Sequence, residues 1–317
     1  MDARDRLKIV VVARNRPGLD DEIRAIAPGA AVVFADEAGL ADAAADADIV
    51  ATVRFPPAAL GRARRLRWVQ SWAAGPNGIL HEEMRRHPVP LTCCKGNGGV
   101  PLAEHAIMLM LMLARDARRM LAAQAQSRWD RFQIPEMLGK TCGVIGVGHC
   151  GADLARKAKA FGMTVLGLRR QDRPAADFDR IYTRPDLHEF LARSDFVVAT
   201  AALTPQTQGL LGASEFRAMR SSAFYVCVSR GAIADTRALE TALAEGWIAG
   251  AGLDAHAVEP LPADSAFWQM PNVIVTPHIG SISAATVTRG IDIFLDNLRR
   301  FVAGHPLVNL VDKEAGY

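Results

Sequence analysis

The chain lacks most of the features that would place it outside the ordinary globular class. No apolar run reaches the roughly 18 residues that a membrane-spanning helix needs. The strongest candidate, "AIMLMLMLA" at 106–114, is too short and reads as a buried helix. The opening "MDARDRLKIVVV" has no apolar h-region and no small-residue cleavage site, so no signal peptide is expected. Cysteine is scarce: Cys93, Cys94, Cys142, Cys150 and Cys227 are odd in number and show no CxxC spacing. Reduced thiols in a cytoplasmic protein are therefore expected, not a disulfide framework. No charge sign dominates, since 37 Lys and Arg face 34 Asp and Glu for a net +3. The densest basic cluster, "RARRLR" at 62–67, reads as a solvated helix face, and no nucleic-acid or membrane partner is expected. Aromatics make up only 6%, which suits Ala-rich helices packed closely on sheets. No His, Cys or Asp cluster has metal-ligand spacing, so no metal is needed.

What is present is strand–helix alternation, twice. "KIVVV" (8–12), "AVVF" (31–34), "DIVAT" (48–52), "RWVQS" (67–71) and "VPLTC" (89–93) are short, β-branched and almost continuously apolar, as strands covered on both faces are. "DDEIRAIA" and "AGLADAAADA" between them are helical in composition. "KGNGGVP" (95–101) then breaks the chain and reads as a hinge, with one long helix predicted from Pro101 to about Gln126. A second series follows: "TCGVIGVG" (141–148), "TVLGL" (164–168), "FVVAT" (196–200), "AFYVCVS" (223–229), "IAGAGLD" (248–254) and "VIVTPH" (273–278). A last helix, about 283–303, is expected to carry the chain back so that "PLVNLV" ends in the first domain. Alternation of this kind predicts an α/β protein with parallel, doubly wound sheets. With 317 residues, two domains are expected.

None of the first-series turns carries a glycine-rich loop, but the second series opens on one. Gly146, Gly148 and Gly151 have GxGxxG spacing after an apolar strand and before the amphipathic "ADLARKAKAFG". Gly146 permits the tight turn, Gly148 lets the backbone approach a pyrophosphate, and Gly151 lets helix and strand pack closely. The N–H groups around His149 and Cys150 would face the anion at the helix N-terminus. About 20 residues beyond such a loop an acidic residue usually holds the adenosine ribose. Here the strand "VLGL" is followed by Arg169 and Arg170, with Arg173 close behind. Guanidinium groups attract the 2′-phosphate that a carboxylate repels, so NADP(H) is expected as the preferred cofactor and NAD(H) as the second.

Three further stretches, "VSRGAIADTRALETAL", "GLDAHAVEPLP" and "VIVTPHIGS", place Arg230, Glu259 and His278 just after three successive strands of the second series. Ligands of doubly wound sheets bind outside the carboxyl ends of the strands, so these groups should converge beside the nicotinamide. Together with "QSWAAGPNGI", "PLAEHAIMLMLMLAR" and "LGKTCGVIGVGHCG", in this order, they make the chain resemble the D-isomer-specific 2-hydroxyacid dehydrogenase family over nearly its whole length. The resemblance implies two Rossmann-like domains with a cleft between them. One is flavodoxin-like and substrate-binding (residues 1–98 and 285–317), the other NAD(P)-binding (99–284). It also implies a homodimer, and hydride transfer between nicotinamide and C2 of a 2-oxo or D-2-hydroxy acid, as in glyoxylate/hydroxypyruvate reductases.

The roles follow from the chemistry. Carbonyl reduction develops negative charge on oxygen; His278 is the expected proton donor, with Glu259 fixing its tautomer and favouring imidazolium. Arg230 is expected to bind the substrate carboxylate and polarise the carbonyl. Backbone N–H groups around Ala74 and Gly75 complete the carboxylate contacts, with Trp72 narrowing or lining the pocket. Val228, Ser229 and Ser281 are expected near the nicotinamide, and Asp254 as acceptor for its carboxamide. His105 and Glu104 are read as structural. Relatives that oxidise formate carry Gln where this chain has Glu259, so an acid here points to hydroxyacid chemistry. The chain also departs from the family: Thr200 and Ala202 in "TAALT" replace His and Pro, and Cys227 replaces Asn. The family includes transcriptional corepressors, so a cofactor-sensing binding protein of the same fold is the alternative.

Overall fold

A computed structural model describes residues 6–12 and 16–316. The first residues of the opening stretch read for a leader lie outside it. The chain divides into two compact units, residues 1–97 with 283–317, and residues 98–282.

The first unit contains β1 (Lys8–Val12), α1 (Leu19–Ile26), β2 (Ala31–Ala35), α2 (Leu40–Ala43), β3 (Ile49–Thr52), α3 (Pro57–Arg62), β4 (Trp68–Ser71), α4 (Glu82–Arg86) and β5 (Leu91–Cys93). All five strands are parallel, in the order β2-β1-β3-β4-β5, which is the flavodoxin-like arrangement. Both faces are covered because both registers of the strands are largely apolar. Ile9, Val11, Ile49 and Trp68 pack into one core layer, Val10, Val12, Val50 and Val69 into the other.

The second unit contains α5 (Gly99–Ala114), α6 (Ala117–Ala125), β6 (Thr141–Ile145), α7 (His149–Ala160), β7 (Thr164–Leu168), β8 (Arg180–Tyr182), α8 (Leu187–Arg193), β9 (Phe196–Ala199), α9 (Ala213–Ala218), β10 (Phe224–Cys227), α10 (Thr236–Ala244), β11 (Gly250–Leu253) and β12 (Val273–Val275). Its seven parallel strands run β12-β11-β10-β9-β6-β7-β8. Strand order reverses between β6 and β9, which makes their carboxyl ends the expected ligand crevice. The chain then returns to the first unit through α11 (Ala284–Val302), and its tail lies on β5: Val311 N–H donates to Leu91 O at 2.8 Å.

Two elements differ from the sequence expectation. The single helix predicted over 101–126 is broken, because Asp116 takes a left-handed conformation (φ 48°) and its carboxylate caps α6 by accepting from Arg119 N–H. Asp tolerates that region and favours caps over helix interiors. The three-residue edge strand β8 was not expected; "RIY" is too short to carry a pattern. Among the described residues no helix is long and apolar enough to cross a membrane.

Candidate active site

The glycine loop joins β6 to α7. Gly146 sits at φ +106°, a conformation L side chains rarely adopt, and a Cβ there would lie 2.6 Å from Ala201 N. Its N–H donates to Leu168 O at 2.9 Å, so the loop is tied to the end of β7, just before Arg169. Its carbonyl accepts the Thr200 hydroxyl at 2.7 Å, which gives the residue found in place of the family's His a definite task. A Cβ on Gly151 would overlap that same carbonyl, so α7 can approach only because the residue is glycine. Gly148 is different: nothing lies within 4 Å of where its Cβ would be. The space that a pyrophosphate needs is therefore open, at the start of a 12-residue helix whose first-turn N–H groups, those of His149, Cys150 and Gly151, have no intrahelical acceptor. These residues fit a dinucleotide. Burial pushes the Cys150 thiol up to about 12, so only its main chain has a part here.

Arg169 is half-buried and Arg170 exposed; the Arg169 N–H donates to Tyr182 O at 3.0 Å. Neither guanidinium pairs with another side chain among the described residues.

Arg230, Glu259 and His278 follow β10, β11 and β12. Arg230 Nη1 donates to Ser229 O at 2.7 Å. Val228 is buried, and the buried Ser229 hydroxyl has no partner. His278 Nδ1 lies 2.8 and 2.9 Å from the two Glu259 oxygens, with both side chains about one-third exposed (33% and 37%). Partial burial would raise the Glu259 carboxyl; the His256 N–H and the His278 imidazole outweigh it and hold the group below the ordinary carboxylate range. The ionised carboxylate accepts, so Nδ1 carries the proton and Nε2 is left for other work. Among the described residues no cluster of three or more potential ligands could hold a metal.

Two expectations are corrected. Asp254 is fully buried and both its oxygens are engaged: Thr276 Oγ1 donates at 2.6 Å, Ile279 N–H at 3.0 Å and Gly280 N–H at 2.9 Å, with His105 Nε2 at 3.3 Å. Burial alone would raise its carboxyl, but these donors hold it well below the usual range. Asp254 thus organises the turn that carries His278 and presents no exposed oxygen to a carboxamide. Trp72 is also spent elsewhere. It is 2% exposed, its indole N–H donates to Val12 O at 2.9 Å, and its ring meets Phe294 edge-on at 5.3 Å. It is a core residue of the first unit. The turn it begins leaves Ala74 exposed and Gly75 half-buried, and their N–H groups donate to nothing else among the described residues.

Ser281 lies beside the start of α5, its Cβ 3.1 Å from where a Gly98 Cβ would stand. His105, on α5, proves to support the His278 turn through Thr276 and Asp254. Thr276 and His256 were not singled out by sequence, and Thr200 only as a departure from the family pattern. Their partners are distant along the chain, and only the glycine beside each catalytic stretch hinted at close packing.

A dinucleotide loop at the switch point of one sheet, with an imidazole–carboxylate pair and an arginine on the next strand ends, defines an NAD(P)-dependent oxidoreductase. The family model described as "D-isomer specific 2-hydroxyacid dehydrogenase, NAD binding domain" matches residues 107–280. A glyoxylate reductase of Thermococcus gammatolerans is 35% identical over 284 residues, 85% of this chain and 84% of that protein. Among solved structures, a D-isomer specific 2-hydroxyacid dehydrogenase family protein from Aeromonas salmonicida superposes with TM-score 0.88 at 30% identity, covering 98% of this chain and 100% of the other. An NADPH-dependent glyoxylate/hydroxypyruvate reductase from Sinorhizobium meliloti, solved with NADP and sulfate, gives TM-score 0.86 at 29% identity over 98% and 100% of the two chains. The chain belongs to the D-isomer specific 2-hydroxyacid dehydrogenase family, and it is an NAD(P)-dependent D-2-hydroxyacid dehydrogenase.

Proposed function

We propose that the chain is an NADPH-preferring reductase of small 2-oxo acids, of the glyoxylate or hydroxypyruvate kind. The observation that carries the reading is the bifurcated contact between His278 Nδ1 and an ionised Glu259, which leaves Nε2 free to give a proton. The bound reduced nicotinamide supplies the hydride. The chain's own residues do the rest. Arg230 holds the substrate carboxylate and draws electron density from the C2 carbonyl; a planar cation suits both tasks. As negative charge grows on the carbonyl oxygen, His278 delivers its Nε2 proton there, and Glu259 stabilises the imidazolium beforehand. Val228, Ser229 and Ser281 border the nicotinamide.

Arg169 and Arg170 receive the 2′-phosphate. Their lack of protein carboxylate partners supports this, as do the NADP and NADPH complexes of similar structures from Sinorhizobium meliloti and Xanthobacter autotrophicus. The same reading includes a cytoplasmic homodimer, in which Met120, Leu121 and Trp129, exposed at 44%, 59% and 91%, would be covered by the second copy. Sedimentation equilibrium checks that point. The function itself is tested by assaying a panel of 2-oxo acids with NADPH and with NADH. Turnover of glyoxylate or hydroxypyruvate with NADPH, well above that with NADH, is expected. No turnover of any 2-oxo acid would refute the substrate class, and equal efficiency would refute the cofactor preference.

A further inference from the structure

Arg230, Glu259 and His278 stand on three separate strand ends, and one residue to which no role has been given meets all three connections. The His256 N–H donates to Glu259 Oε1 at 2.9 Å. Its ring Nε2 lies 3.2 Å from the carbonyl of Thr276, two residues before His278. On the third side, Gly231, which follows Arg230, presses on it: a Cβ there would come within 2.5 Å of His256 Cα. A carbonyl oxygen only accepts, so Nε2 carries the ring proton. The other nitrogen, Nδ1, is buried without a partner. The ring is thus oriented by one bond, the one to Thr276.

We infer that His256 is a positioning residue that ties the Glu259 turn to the strand end bearing His278 and so keeps the proton-transfer pair in register. His278 needs such support. Its φ of 53° lies in the left-handed region, which a non-glycine residue keeps only where its surroundings impose it. On the far side of His278, Asp254 fixes the turn through Ile279 and Gly280. On the near side, Pro277 has no N–H to offer, and the direction in which the chain leaves β12 follows from how the Thr276 peptide is turned. His256 holds that peptide by its oxygen. Because its main chain also binds Glu259, one residue sets both ends of the pair.

The inference rests on the proposed proton transfer, so its test has an arm that needs no turnover. His256→Phe keeps aromatic bulk and removes the donor. His256→Gln restores an N–H at the reach of Nε2; His256→Asn supplies one that is too short. Reduction of glyoxylate by NADPH, NADPH affinity, and the downfield proton resonance of His278 Nδ1, assigned by its loss in His278→Asn, are measured in each. The Phe and Asn variants should lose on the order of 10- to 100-fold in kcat with NADPH affinity unchanged, as small misplacements of reacting groups do. Their Nδ1 proton signal should shift or broaden. The Gln variant should recover kcat to within a few-fold and keep the signal. Wild-type kcat and an unmoved signal in Phe or Asn would overturn the inference, and so would a Gln variant as impaired as Asn. If Phe does not fold, the Gln and Asn pair decides. If the wild type reduces no 2-oxo acid, the proposed reaction fails, and the proton signal still judges His256.

Discussion

The five-stranded and seven-stranded sheets are built by one plan, parallel strands with apolar side chains on both faces, yet they treat their polar groups differently. In the first, the buried polar residues of the strands are paired with one another. Trp68 Nε1 donates to Thr92 Oγ1 at 2.7 Å, Thr92 Oγ1 to Gln70 Oε1 at 2.7 Å, and Asn297 Nδ2 contacts the same oxygen at 3.4 Å. In the second, polar capacity is left over past the strand ends. The Ser229 hydroxyl and His256 Nδ1 are buried without partners, and Gly148 faces open space. A satisfied network stabilises a fold, whereas unspent donors and space are what a ligand can use.

The contrast can be broken first at Gly148. The Cβ of an alanine there meets nothing within 4 Å in the protein, so folding should be kept while NADPH affinity falls by about 100-fold or more, the loss of roughly 3 kcal/mol of anion contacts. Isothermal titration and a thermal melt separate the two effects; undiminished affinity would show that the open space is not the pyrophosphate site. Next in size is Arg169→Asp, which replaces attraction for a 2′-phosphate by repulsion. It should reverse the preference and cost about 10- to 100-fold in kcat/KM for NADPH, the size of one or two charge-assisted bonds.

Glu259→Gln comes third. The Glu259 carboxyl lies below its ordinary range, so it stays charged from neutral pH down through the normal carboxylate pKa and supports the imidazolium throughout. Glu259→Gln removes that charge at every pH and should cost about 10-fold in activity at neutral pH. In the wild type the carboxylate's contribution should be lost only as pH falls through its lowered range. A Gln variant with wild-type activity at neutral pH would contradict the coupling. The smallest effect belongs to the first sheet. Trp72→Phe gives up the bond to Val12 O and part of a buried ring, so a lower melting temperature is expected, with no change in NADPH affinity. An altered affinity would mean that the two sheets are not separate in function.

How much of this could be read from sequence depends on the distance between partners. The glycine loop and the arginines after β7 are local signals, and Arg230, Glu259 and His278 each follow a legible strand. The supports are not local. His105 reaches Asp254 and Thr276 from another element, and Thr200 meets Gly146 only because β9 lies beside β6. Trp72 was misplaced for the same reason: a large ring in a substrate turn looks available until Phe294, from α11, is seen to cover it. The break at Asp116 was missed because an apolar period continues through "AIMLMLMLA" and outweighs one capping residue.

The central claim is that His278 gives the proton that completes carbonyl reduction. Asn tolerates the left-handed backbone that His278 adopts, so His278→Asn should fold and bind NADPH as the wild type does. Single-turnover reduction of glyoxylate, followed at 340 nm with NADPH already bound, measures the step directly. A rate lowered on the order of 100- to 10,000-fold at unchanged NADPH affinity is expected. A variant that reduces glyoxylate at the wild-type rate would contradict the account.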